Sequence, residues 1–113
     1  MQITHYCNSF NSFKVGNSTL VCDPWVGEAA QTAWVSFPVH ENGGKLLNNI
    51  KPDFIYISHL HCDHLDPKTL LGLKNKNIKI IIKKFKIRLL KKQIQQLGFN
   101  NIFEYEPWKK YRL

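Results

Sequence analysis

Nine residues, Ser58-His59-Leu60-His61-Cys62-Asp63-His64-Leu65-Asp66, constrain this chain more than any other part of it. Three of its five histidines fall within six positions, beside a carboxylate. They directly follow Phe54-Ile55-Tyr56-Ile57, a near-continuous apolar run that reads as a buried strand. Asp66-Pro67 closes the string as a helix start, with Asp66 as cap and Pro67 at the first helical position. At strand spacing, His59, His61 and Asp63 alternate with Leu60 and Cys62 and project to one side, leaving Cys62 packed. Imidazole and carboxylate suit a borderline divalent cation such as zinc, and also iron or manganese. Four such groups on one strand-to-helix loop cannot all reach one ion comfortably, so the string predicts two adjacent ions.

The remaining sequence arranges itself around that loop. Gln2–Phe10 and Thr19–Cys22 read as strands of a hairpin or meander, separated by a turn at Gly16-Asn17-Ser18 and ended by Asp23-Pro24. A loop of about twenty residues from Trp25 to Gly44 carries Trp25, Trp34 and Phe37, which are expected to pack back on the sheet. Lys45–Ile50 reads as one or two helical turns stopped by Pro52, and Lys68–Lys74 as a short helix. Ile78–Ile82 reads as a second buried strand and Ile102–Glu106 as the last one. Between them Ile87, Leu90, Ile94 and Leu97 recur at helical spacing with Gly98 as the stop. Two β elements followed by β-α-β-α-β predict an α/β layer protein with crossover helices.

With 113 residues, of which 43% are hydrophobic, the chain can bury one small core but not two. No apolar run is long enough to span a membrane, and the N-terminal stretch lacks the features of a secretory signal. Three cysteines, Cys7, Cys22 and Cys62, cannot all pair and lack zinc-ribbon spacing, which predicts a reducing, cytoplasmic setting. The formal charge of +8 is uneven, acidic up to residue 67 and strongly basic after it. Such asymmetry leaves open an anionic partner such as nucleic acid. Fourteen of the sixteen cations are lysine, however, and with frequent Asn and Ile this is the bias of an AT-rich coding sequence. Solubility is the favoured reading of the charge.

His59-X-His61-X-Asp63-His64, placed after a buried strand, resembles the signature of the metallo-β-lactamase superfamily. Ile3 to Phe10 and Leu20-Val21-Cys22-Asp23-Pro24-Trp25 are similar to the first two strands of its ascorbate-6-phosphate lactonase-like branch. Cys7 and Asn8 depart from the glycine and histidine found there. Asp23-Pro24-Trp25 and the aromatic loop also resemble the lactamase-like part of sialic-acid-nucleotide hydroxylases. That group carries a Rieske cluster as well, and this chain lacks the pair of Cys-X-His strings that would hold one. The resemblance implies that His59 and His61 ligate a first metal, and Asp63 and His64 a second. A hydroxide between the ions, oriented by Asp63 as a catalytic residue, would attack a lactone, ester, amide or phosphodiester centre. It also implies that Asp23 is a buried acid fixing ligand orientation, although a turn residue before Pro24 would look the same in sequence. Asp66 is expected to cap a helix, and His5 and His40 to be ordinary surface or packed histidines.

Complete members of that superfamily are about twice as long and form an αββα sandwich from two similar halves. Residues 1–113 therefore read as the N-terminal half, a mixed sheet with helices on one face. Two ligands per metal then leave each site short, and the inner sheet face lacks its partner layer. The expectation is weak metal binding, poor turnover and self-association, or a complementing C-terminal half. Two alternatives stand beside a small-molecule hydrolase. One is a nuclease or RNA-processing member of the same fold, using the basic half as a phosphate-tracking surface. The other is a non-catalytic remnant acting as an interaction module.

Overall fold

Between Gln2 and Cys22 apolar and polar residues alternate through three strands rather than two in a computed structural model of the chain, which describes residues 1–29, 31 and 33–112. Strands β1 (Gln2–Cys7), β2 (Phe10–Val15) and β3 (Ser18–Cys22) form an antiparallel meander. The sequence reading merged β2 into a turn-rich stretch, because the tight turn at Asn8-Ser9 has no glycine to announce it. Asn8 itself takes the left-handed conformation, with φ of 40°, which asparagine tolerates better than most residues. The stretch after Pro24 is not structureless. Glu28–Ala29 (β4) and Trp34–Val35 (β5) pair as a small separate ribbon, while Ala30 and Thr32 lie outside the described residues. Trp25 packs inward as expected, but Trp34 and Phe37 stand in solvent.

From residue 43 the chain alternates helix and strand: α1 (Gly43–Ile50), β6 (Phe54–Ile57), α2 (Pro67–Leu71), β7 (Lys79–Lys83), α3 (Leu89–Gln96) and β8 (Ile102–Tyr105). The six long strands make one mixed sheet in the order β1-β2-β3-β6-β7-β8, parallel from β3 onward. Two helix starts and one helix end have a clear local cause. Asn42 caps α1 by accepting from Lys45 N–H at 2.8 Å, and Asp66 caps α2 by accepting from Lys68 N–H at 3.0 Å. Gly98, at φ +90°, turns the chain out of α3 where a side chain would be strained. Ile87 falls before the first turn of α3 and is 78% exposed, so it leaves the stripe that Leu90 and Ile94 bury.

Register decides which face is covered. Val21, Ile55 and Ile80 are paired across β3, β6 and β7 and join Ile57, Ile82, Leu47, Leu70 and Ile94 in one core under the helices. Alternation sends Phe54, Tyr56, Phe103 and Tyr105 to the other face, where they are half-buried or exposed. The buried-on-both-faces expectation for Phe54–Ile57 therefore holds for one face only. On the open face Lys79 sits over the rings of both Phe54 and Phe103, at 5.2 and 4.9 Å from their centroids.

Helices α1 and α2 touch through glycine. A Cβ on Gly44 would stand 2.7 Å from the Gly72 Cα, a backbone atom with no side-chain freedom to yield. Gly44→Ala is therefore expected to destabilise the fold by about 1–3 kcal/mol through overpacking. A urea or thermal unfolding curve unchanged by that substitution would contradict the packing described.

Candidate metal centre

Parallel pairing of β3 with β6 brings the ends of two strands together, and the site grows from that junction. Asp23 follows β3 and donates its backbone N–H to the Tyr56 carbonyl at 2.9 Å, extending the ladder by one residue. Its φ is 42°, an uncomfortable value for the residue preceding a proline. The compensation is visible in the side chain. One carboxylate oxygen accepts the Ser58 backbone N–H at 2.7 Å, and the other accepts the Ser58 Oγ–H at 2.8 Å. That second oxygen also lies 2.9 Å from His64 Nδ1.

These contacts orient two imidazoles. Because Ser58 Oγ gives its proton to Asp23, it accepts from His59 Nδ1, 2.8 Å away. Because Asp23 is a carboxylate, His64 Nδ1 is likewise the protonated nitrogen. Both rings then point Nε2 away from the support, His59 toward His61 and His64 toward Asp63. This is the arrangement that metal-binding histidines share, with the other ring nitrogen tied to a carboxylate or hydroxyl.

The free atoms meet in two pairs. His59 Nε2 lies 3.0 Å from His61 Nδ1, and His64 Nε2 lies 3.6 Å from Asp63 Oδ2. Two donors bound tetrahedrally to one zinc ion are separated by about 3.3 Å, given bonds of about 2.0–2.1 Å. Each pair therefore fits two corners of a metal's coordination shell. The pairs adjoin, since the His59 and His64 rings are 4.1 Å apart. Among the described residues no three His, Cys, Asp or Glu side chains are disposed to hold an ion together. The donor set has the right chemistry, and it is grouped in twos.

Strand alternation does not produce this grouping. Strand β6 ends at Ile57, and residues 60–64 form bends and a turn in which the His61 carbonyl accepts from both His64 and Leu65 N–H. The turn, not a pleat, gathers the ligand side chains, and it leaves Cys62 exposed rather than packed. Ser58 was missed in the sequence reading, and its place between a strand and the first histidine was the available signal. Ser9 Oγ also anchors the turn by donating to the Asp63 carbonyl at 2.6 Å. Asp66 accepts from Lys68 N–H and from the Thr69 hydroxyl and is a cap, as expected. His5 pairs with Asn11 and His40 with the Tyr6 carbonyl, so neither joins the cluster.

Burial pushes the Cys22 thiol up to about 11, with the neighbouring Asp23 charge adding to the effect, so it stays protonated. His59 is held below its ordinary value, first by lost solvation and then by the His64 and His61 rings.

No family model matches the chain. A Rieske 2Fe-2S iron-sulfur protein of Mycobacterium tuberculosis is 32% identical over 114 aligned residues, covering all of this chain and 22% of that protein. Cytidine monophosphate-N-acetylneuraminic acid hydroxylase of Asterias rubens is 38% identical over 79 residues, covering 68% of this chain and 12% of the enzyme. The chain thus spans about a fifth or less of the length of these curated relatives. Among solved structures, an isothiocyanate hydrolase from Delia radicum gut bacteria superposes with a TM-score of 0.65 at 23% identity. It covers 91% of this chain and 40% of that one. A possible metal-dependent hydrolase from Veillonella parvula superposes with a TM-score of 0.63 at 18% identity, covering 89% of this chain and 42% of its own. The fold is that of these hydrolases.

The donors present do not fit a Rieske cluster, which takes two cysteines and two histidines. A single Cys-X-His occurs, at Cys62 and His64, and His64 is engaged by Asp23 and Asp63. Cys7 is buried with its thiol donating to the Trp25 carbonyl.

Two outcomes test the support described. Asp23→Ala strands the Ser58 N–H and hydroxyl and is expected to lower stability by about 1–3 kcal/mol in urea unfolding. His59 resists protonation when folded, so acidification through the ordinary histidine range protonates the unfolded chain first and stability is lost. Thermal midpoints recorded from about pH 7 down to about pH 5.5 should fall, and fall less in His59→Gln.

Proposed function

We propose that this chain carries the ligand-bearing part of a metal-dependent hydrolase of the metallo-β-lactamase type, acting on a lactone, ester, amide or phosphodiester centre. The observation that carries the reading is the pair of imidazoles whose outer nitrogens are tied to Asp23 and Ser58 and whose inner ones face a carboxylate and a third histidine. A polar loop without a ligand to bind has no use for that polarity. His59 and His61 would hold one ion, Asp63 and His64 a second, with zinc the best match to the donors and iron or manganese also compatible. A divalent ion there supplies Lewis acidity, polarising a substrate oxygen and lowering the pKa of water.

The chain's own residues do the positioning. Asp23 keeps His64 in one tautomer and stabilises the positive charge that the ring shares with a bound cation. Ser58 relays the same constraint to His59. Asp63 would orient the attacking hydroxide as the catalytic residue. Completing either coordination shell takes further donors, and the open sheet face invites a second layer. We therefore read the sheet as one half of an αββα sandwich, its exposed apolar face covered by a complementing half or by self-association.

Zinc titration against a chromogenic chelator is expected to show affinity on the order of micromolar, because each pair is an incomplete shell. Asp23→Asn should weaken it by roughly 10–100-fold, and His61→Ala by at least as much. Tight uptake of two ions by the unaided chain, or zinc content unchanged in His61→Ala, would count against the assignment.

A further inference from the structure

The segment after β7, residues 84–88, faces the histidine turn across a cavity of about 480 Å³ lined by His59, Leu60, His61, Phe85, Ile87 and Leu89. The geometry points to this cavity as the pocket for an uncharged alkyl or aryl substituent of the substrate, which makes Ile87 and Leu89 specificity-determining residues. The inference rests on the metal reading above and names the substrate class.

Four observations support it. The volume lies in the range of small-molecule sites. The lining is apolar apart from His59, His61 and Lys86, so a group filling the cavity touches the residues that would hold an ion. Ile87 is 78% and Leu89 48% exposed, although Ile87 keeps the helical spacing of Leu90 and Ile94. Helix α3 starts two residues too late to draw Ile87 into the core, and its side chain lines the cavity instead. Finally, both walls rise from the carboxyl ends of adjacent parallel strands, β6 and β7, where open α/β sheets hold their ligands. Lys86 is the lone cation of the lining, no carboxylate shares it, and a positively charged substituent is disfavoured.

The test separates pocket from metal. Straight-chain alkyl hydroxamates, methyl to hexyl, are titrated into the zinc-loaded chain, and alkyl carboxylates of the same lengths into the metal-free chain, with backbone amide shifts as the readout. Each added methylene should tighten binding by about fourfold until the cavity is full, with shifts at Leu60 and residues 85–90. Leu89→Asn and Ile87→Asn, both at exposed positions, should flatten that dependence. A flat dependence in the zinc-loaded chain overturns the pocket and leaves the metal reading standing. So does a dependence undiminished in both variants, or shifts confined to Phe54, Tyr56 and Phe103 on the open face. A chain that takes no zinc yet keeps the carboxylate dependence and the shifts supports the pocket and overturns the metal reading.

Discussion

One buried carboxylate holds the centre of this protein together. Asp23 is 7% exposed, and its two oxygens accept three donors from the far side of a strand junction. A buried carboxylate is tolerable only when its lone pairs are filled, so the same bonds that satisfy Asp23 also hold the end of β3 to the end of β6. The strained backbone at Asp23 is offset by that network, since a relaxed φ would swing the side chain away from Ser58. Structure and chemistry coincide here. The group that ties two strands also decides which nitrogens of His59 and His64 are free.

The rest of the architecture follows from one-sided burial. Helices cross between β6, β7 and β8 on a single face, and the core under them takes the isoleucines of each strand's inward register. The opposite face keeps Phe54, Tyr56, Phe103 and Tyr105, shielded by Lys79, whose stem and charge lie across two rings, and by Tyr111, which stacks on Tyr105.

Similarity by sequence and similarity by shape point to proteins named for different activities. Iron-sulfur proteins and a hydroxylase align through sequence, and hydrolases align through the fold. Folds host many chemistries, so the site has to decide. Here three cysteines are dispersed, one of them buried and bonded to a carbonyl and another held protonated beside Asp23. The clustered donors are imidazole and carboxylate. That donor set suits a divalent cation, whereas an iron-sulfur cluster takes cysteines that this cluster does not supply.

Local rules made much of this legible in advance. Asp66-Pro67 fixes the start of α2, Gly98 the end of α3, and continuous apolar runs mark β6 and β7, because capping, backbone freedom and burial act over a few residues. The clustering of His59, His61, Asp63 and His64 was equally plain, since imidazole and carboxylate carry their chemistry wherever they are placed. Three things were not. Asn8-Ser9 turns without glycine, so β2 stayed hidden. Ile87 keeps helical spacing yet falls outside the helix. Ser58 stands between a strand and the first histidine, yet nothing local shows that it links Asp23 to His59. Thirty-five residues separate Asp23 from Ser58, and only the pairing of β3 with β6 brings them within hydrogen-bond reach. Sequence determined which atoms could bind a metal. Tertiary structure decided how they are oriented, because that depends on contacts between segments that know nothing of each other until the sheet forms.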